Sequence, residues 1–227
     1  TFNQDIGDWN TSAVTNMANM FYGAAAFNHD IGAWDTSAVT SMDHMFFGSA
    51  AFNQDVGDWD TSAVTNMGHM FQNATAFDQA IGDWNTGSVT HIYWMFRDAT
   101  SFNQDVADWN TSAATNMGGM FGGATAFNQD IGDWDVSAVT DMSYMFAYTP
   151  FNQDIGDWNT SSVVNMSIMF YQATLFNQNL SMWDVAGVTN CNNFSIGTGA
   201  WEKTIHKPFF TACVPDYTPA SSSSSSR

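Results

Sequence analysis

The sequence predicts an α/β solenoid: a stack of about eight 25-residue coils, each a short strand plus a short helical turn, with a C-terminal cap. Three observations point there. A leading Phe recurs at Phe2, Phe27, Phe52, Phe77, Phe102, Phe127, Phe151 and Phe176, every 25 residues with one step of 24. A Trp keeps the same interval at Trp9, Trp34, Trp59, Trp84, Trp109, Trp134, Trp158 and Trp183. A second Phe closes seven coils, from Phe21 to Phe170. A period of this length marks units that cannot bury their apolar faces alone and do so by stacking. The repeat also accounts for nearly all of the fourteen Met, nineteen Phe and ten Trp.

Within a coil, Ile6, Trp9 and the β-branched position of Thr11 read as a short strand near the Trp. Gly7, matched by Gly32, Gly57, Gly82, Gly132 and Gly156, marks a bulge or a close backbone approach. Val14, Met17, Met20, Phe21 and Ala24 follow three- and four-residue spacing, which suits a helical turn with one buried stripe. Successive strands would stack in parallel about 4.8 Å apart, giving a rod roughly 35–40 Å long.

At the sixth junction one residue is missing, and Pro150 replaces a small residue. The deletion belongs in a loop, because inside a strand it would reverse the faces. The eighth coil degrades: Cys191 and Phe194 replace Met, and Met182 replaces Asp, as at a solenoid end that forms a cap. The chain then divides into repeats over 1–194, a C-terminal cap over 195–216, and a Ser-rich disordered tail or linker over 217–227. Trp201, Phe209 and Phe210 are expected to lie over the last coil.

Cys191 and Cys213, the only two cysteines, read as a disulfide that staples the cap. Such a bridge implies an oxidising compartment and adds on the order of 3 kcal/mol. The alternative is two unrelated thiols. The first coil carries the full motif without a cap, so its outer face is expected to be apolar and covered by upstream residues or by another molecule. Starting mid-motif at Thr1, the chain reads as a processed product or a fragment.

Residues 1–194 hold twenty Asp against one base, Arg97. That surface repels phosphate backbones and anionic head groups, which excludes nucleic acid as a partner. No apolar run is long enough for membrane insertion.

The string Phe127-Asn128-Gln129-Asp130-Ile131-Gly132-Asp133-Trp134, with its counterparts over residues 2 to about 194, resembles the BspA-like surface-protein repeat of mycoplasma lipoproteins, bacterial adhesins and protist proteins. The resemblance implies a leucine-rich-repeat-like solenoid on the cell exterior, used for attachment or surface structure. It implies no common enzymatic activity and no catalytic residues.

Two Asp rows are candidate metal ligands: Asp5, Asp30, Asp55, Asp105 and Asp130, and beside them Asp8, Asp58, Asp108 and Asp133. Carboxylates stacked one coil apart repel by roughly 0.9 kcal/mol per pair even in water. Calcium between the rows would offset this. The other reading is that each carboxylate accepts a local hydrogen bond and stays in water. After each Trp, Asn and Asp exchange freely (Asn10, Asp35, Asp60, Asn85), which points to an Asx turn. Two Thr rows begin at Thr11 and Thr15, and a flat Thr array is the basis for an ice-binding alternative.

The glycosylation sequons are Asn10, Asn73, Asn110, Asn159, Asn165, Asn179 and Asn193. His44 and His69 share a register on adjacent coils, but no Cys set or Glu accompanies them. No nucleophile motif supports an enzyme. Tyr22, Phe47, Trp94, Tyr144 and Tyr171 fall on non-core positions along one ridge, and Phe2 and Trp9 on the open end; together they are the candidate interface. The expected protein is therefore a secreted or cell-surface structural or adhesive repeat protein, self-associating, with head-to-tail stacking into a filament as one form. A protein or glycan at the cell surface is the expected partner. The alternative is a binding module using a regular Thr/Asp face, for ice or for calcium-dependent ligand binding.

Overall fold

The computed structural model describes residues 2–199, 201 and 205–215; the expected Ser-rich tail over 217–227 lies outside the described residues. Coils 1 to 8 begin at the eight leading Phe residues. In coil 3 the N–H groups of Trp59, Val64, Met70, Gln72, Ala74 and Phe77 each donate to the carbonyl three residues back. Three polar side chains brace the corners: Asp55, Asp60 and Asn66 accept through Oδ1 from the N–H of Gly57, Ser62 and Gly68. The coil is thus a closed chain of turns, and short polar residues that bond their own backbone two positions on are suited to hold it.

The stripe that reads as helical has a different hydrogen-bond pattern. Met67, His69, Phe71 and Asn73 donate to His91, Tyr93, Met95 and Arg97 of the next coil, while the residues between them close turns within their own coil. A helix would send every N–H back to its own i−4 carbonyl. Here, alternate N–H groups cross to the neighbour. The four-residue spacing comes from tight turns whose third residues, His69 and Asn73, have φ of 57° and 59°, as type II turns require. Parallel bridges link this wall from coil to coil, from Asn16 with Ser41 through Asn165 with Asn190. The pairing therefore lies downstream of the Trp, beside the Met stripe.

Three aromatic columns fill the interior. Phe46 and Phe71 stack at 5.4 Å, Phe52 and Phe77 at 6.1 Å, and Trp84 and Trp109 at 6.3 Å between ring centroids. Each Trp also ties two coils together. The indole N–H of Trp84 donates to Val56 O, and that of Trp109 to Ile81 O, so the ring is buried with its one polar group satisfied. The Phe-Asn-Gln start of each coil makes a second tie: Asn53 Oδ1 accepts the Asp78 N–H, and Gln79 Nε2 donates to Asn53 O. The Gly expected at a close approach is at one, since a Cβ on Gly57 would lie 2.7 Å from Ala80 O.

The missing residue of coil 6 is absorbed in its closing loop. Thr149 is buried and donates its hydroxyl to Phe146 O, and Phe127 still stacks on Phe151 at 6.1 Å. At the C-terminal end Trp201 is fully buried edge-on against Phe176, and its indole donates to Gln178 O. Phe210 meets Phe194 at 5.0 Å. Cys191 and Cys213 are joined in a disulfide, with Cα atoms 6.0 Å apart. Phe209, expected over the last coil, is instead 84% exposed. It adjoins Phe210, and one chain segment cannot turn both neighbouring rings inward.

Candidate functional site

Repeated hydrogen bonds and rings fix most of each coil, which leaves four positions free to vary: those of Ala18, Asn19, Tyr22 and Gly23 in coil 1. Across the stack the second of these is Asn19, His44, His69, Trp94, Gly119, Tyr144, Ile168 and Asn193. These residues share one flank, because each belongs to the same turns of the bridged wall. Among the described residues all eleven non-Gly residues with positive φ fall at the second or fourth of these positions, which together form one column, including Trp94 at 58°, Tyr144 at 61° and Ile168 at 62°. A bulky or β-branched residue there is strained where Gly or Asn is not.

The column has three parts. Tyr22 lies flat on Phe47 at 4.6 Å, and His44 on His69 at 4.2 Å. Asp43 Oδ2 is 2.9 Å from His44 Nδ1, while its Oδ1 is buried with no hydrogen-bond partner among the described residues. Burial first, then the neighbouring His44, push the His69 imidazole below its ordinary value, against the bond it shares with Gln72. Burial and then Asp43 push the Tyr93 phenol up. In the middle, coil 5 has glycine at all four variable positions, Gly118, Gly119, Gly122 and Gly123. Trp94 crosses that gap to Tyr144 at 5.8 Å, with the Arg97 guanidinium 4.2 Å above its ring. At the far end Tyr144, Tyr148, Ile168, Tyr171 and Asn193 line an open cleft of about 260 Å³.

The expected interface residues thus fall in two places. Tyr22, Phe47, Trp94, Tyr144 and Tyr171 belong to the column. Phe2 and Trp9, 44% and 55% exposed, lie on the bare face of coil 1, where their counterparts Phe27 and Trp34 are buried. Along residues 16–22 the edge of that face presents acceptors. The carbonyls of Ser41, Asp43, Met45 and Phe47 all accept N–H groups from coil 1, so the matching carbonyls of Asn16, Ala18, Met20 and Tyr22 point outward. Beside these acceptors the Thr15 N–H also faces outward, since its counterparts at Thr40 and Thr65 donate to the preceding coil, so the face offers both donors and acceptors.

The Asp rows are exposed and engaged locally. Asp5, Asp30, Asp55, Asp105 and Asp130 each accept the N–H two residues on. Asp8, Asp58, Asp108 and Asp133 are exposed beside them, and members of the two rows line shallow surface clefts: Asp30, Asp55 and Asp58 in one, Asp105 and Asp108 in another, Asp130 and Asp133 in a third. Among the described residues no three acidic, His or Cys side chains converge as a metal cage requires. The Asx row forms its turns, and hydroxyl and then backbone donors from Ser37, Ser62 and Ser137 hold Asp35, Asp60 and Asp135 below the usual carboxylate value. The Thr11 row is buried, and its hydroxyls donate to carbonyls of the next coil, as from Thr61 to Asn85 O. Only the Thr15 row is exposed, and its hydroxyls also donate to backbone carbonyls.

Of the sequon residues, Asn10, Asn110, Asn159 and Asn179 are exposed at Asx turns. Asn165 donates to Asp141, Asn73 sits in the column, and Asn193 lines the tyrosine cleft. Sequence spacing finds the ridge but misses His44, His69, Tyr148 and Asn193 as parts of it. The clue was variability: these are the positions at which the repeats disagree.

Comparison with curated proteins and with solved structures returned no match. Over residues 1–108, 51–150 and 92–207 the chain matches the family described as Mycoplasma protein of unknown function, DUF285, and it belongs to that family.

Proposed function

We propose that this is a structural and adhesive repeat protein of a cell surface, which attaches to its partner through the variable column. The observation that carries this reading is that bulky, strained side chains are confined to one flank of an otherwise uniform stack. The fold has no need of them there, since Gly119, Gly123 and Asn19 serve the same turns. Exposed Tyr22 and Tyr148 beside half-buried Trp94 and Arg97 suit a recognition surface, because such side chains contribute large contact area at low entropic cost. Membership of a repeat family is in keeping with it.

Self-association belongs to the same proposal, through the face of coil 1 on which Phe2 and Trp9 are exposed. Joining that face to the last coil of another copy would have to displace Trp201 from Phe176, so an open filament is not the form we favour. The test is adhesion of protein-coated beads to the cells that make the protein. A variant with Tyr22, Phe47, Trp94 and Tyr148 changed to Ala should lose at least about tenfold in bound beads. Unchanged adhesion by a folded variant overturns the reading. Sedimentation across concentration tests self-association separately, with Trp9→Lys expected to abolish any dimer.

A further inference from the structure

We propose that the cleft across coils 6 to 8 binds a neutral glycan, with a sugar ring lying against the Tyr148 and Tyr171 pair. This rests on the reading of the column as a recognition surface and adds the class of ligand. Along the rest of the column the rings meet at several angles, 3° between Tyr22 and Phe47 and 35° between Trp94 and Tyr144 among them. Tyr148 and Tyr171 meet edge to face at 67° with centroids 5.3 Å apart. Tyr148 is 55% exposed, as Tyr22 is, and it borders the cleft. An aromatic face is the surface against which the C–H face of a sugar packs.

Charge narrows the class. The chain carries a net charge of −18, and the other shallow clefts are lined by carboxylates, among them Asp130, Asp133, Asp154 and Asp157. This cleft is lined by three phenols, an amide and Ile168, with no charged group. Anions are repelled by the whole molecule, and cations are drawn to the Asp clefts instead. Phenol and amide groups both donate and accept hydrogen bonds, as sugar hydroxyls do. The backbone sets where the lining residues stand. Tyr144, Tyr148, Ile168 and Asn193 all have φ between 55° and 62°, so four of the five lining residues project from left-handed positions. A β-branched residue such as Ile168 is a rare occupant of that region.

The experiment uses protein made without N-linked glycans, so that Asn193 is bare. Saturation-transfer NMR is run with neutral hexasaccharides of glucose, mannose and N-acetylglucosamine, with a hexuronate, and with a proline-rich decapeptide. At least one neutral hexasaccharide is expected to bind. Tyr148→Gly, which places glycine where Gly123 already stands, should weaken it about tenfold or more. Asp58→Asn, in one of the carboxylate clefts away from the column, should leave it unchanged. Absence of binding by every neutral sugar overturns the proposal, as does binding that survives both Tyr148→Gly and Tyr171→Ala, or a preference for the hexuronate. Binding of the decapeptide alone, lost in the same variants, overturns the glycan while leaving the column as a recognition surface. That surface fails only if bead adhesion also survives its own variant.

Discussion

Trp94 lies over Gly119 and makes ring contact with Tyr144, two coils away, across a coil that presents glycine at every variable position. A Cβ on Gly119 would sit 2.6 Å from the Trp94 ring, and the residue has φ of 62°. Gly119 therefore serves both the turn and the ring that crosses it. Gly119→Ala should cost on the order of 1–3 kcal/mol from the strained φ together with the displaced ring. Near-UV circular dichroism and thermal melting should both register it. An unchanged aromatic spectrum would show that Trp94 does not bridge the gap.

The Trp column predicts an end effect. Trp109 is buried and donates to Ile81 O, whereas Trp9 is 55% exposed and has no coil before it among the described residues. Trp109→Phe removes one of the two donors to Ile81 O, leaving the Trp84 N–H at 3.3 Å, and should cost about 0.5–1.5 kcal/mol. Trp9→Phe should cost close to nothing in denaturant titration. Equal costs would contradict the stacked arrangement.

The two cysteines hold the end over Trp201. Reduction, or Cys213→Ser, should remove about 2–4 kcal/mol from the unfolding free energy of a stack measured as one unit. It should also shift the emission of Trp201 to the red as water reaches it. Melting that is indifferent to reductant would mean that the end is held by Trp201 and Phe210 alone.

His69 gives a dependence on pH. Its folded-state value lies below the ordinary 6.5, so the unfolded chain takes up the proton first and stability falls as pH drops below about 7. The fall stops once His69 is itself protonated in the folded state. His69→Asn keeps a residue that accepts the left-handed φ and should flatten the melting temperature over that window. Asp35, Asp60 and Asp135 act separately. Their values are lowered from 3.8 by Ser donors, so what they contribute is lost only at still lower pH.

The Asp rows predict a salt effect. Exposed like charges one coil apart are relieved by screening, so added sodium chloride should raise the melting temperature. Calcium at matched ionic strength should add little more, because the carboxylates of the Asp5 row are engaged by their own backbone and no three acidic side chains converge as a metal cage requires among the described residues. A large, saturable calcium increment would restore calcium as a ligand of these rows.

The sequence by itself determined what recurs: the interval of Phe2 and Trp9, the loop that takes up the missing residue before Phe151, and the polar side chains that close the turns. Repetition makes these visible, because a residue needed in every coil appears in every coil. It could not separate a helical turn at Met17–Phe21 from linked tight turns, since three- and four-residue spacing is common to both. That choice lies with the neighbouring coil, whose carbonyls take alternate N–H groups that a helix would keep for itself. The variable column was legible only in part. Trp94 and Tyr144 fall along a ridge already in the sequence, whereas Tyr148 and Asn193 break the repeat singly and look unrelated to it; stacking sets all of them on one flank, at left-handed backbone positions.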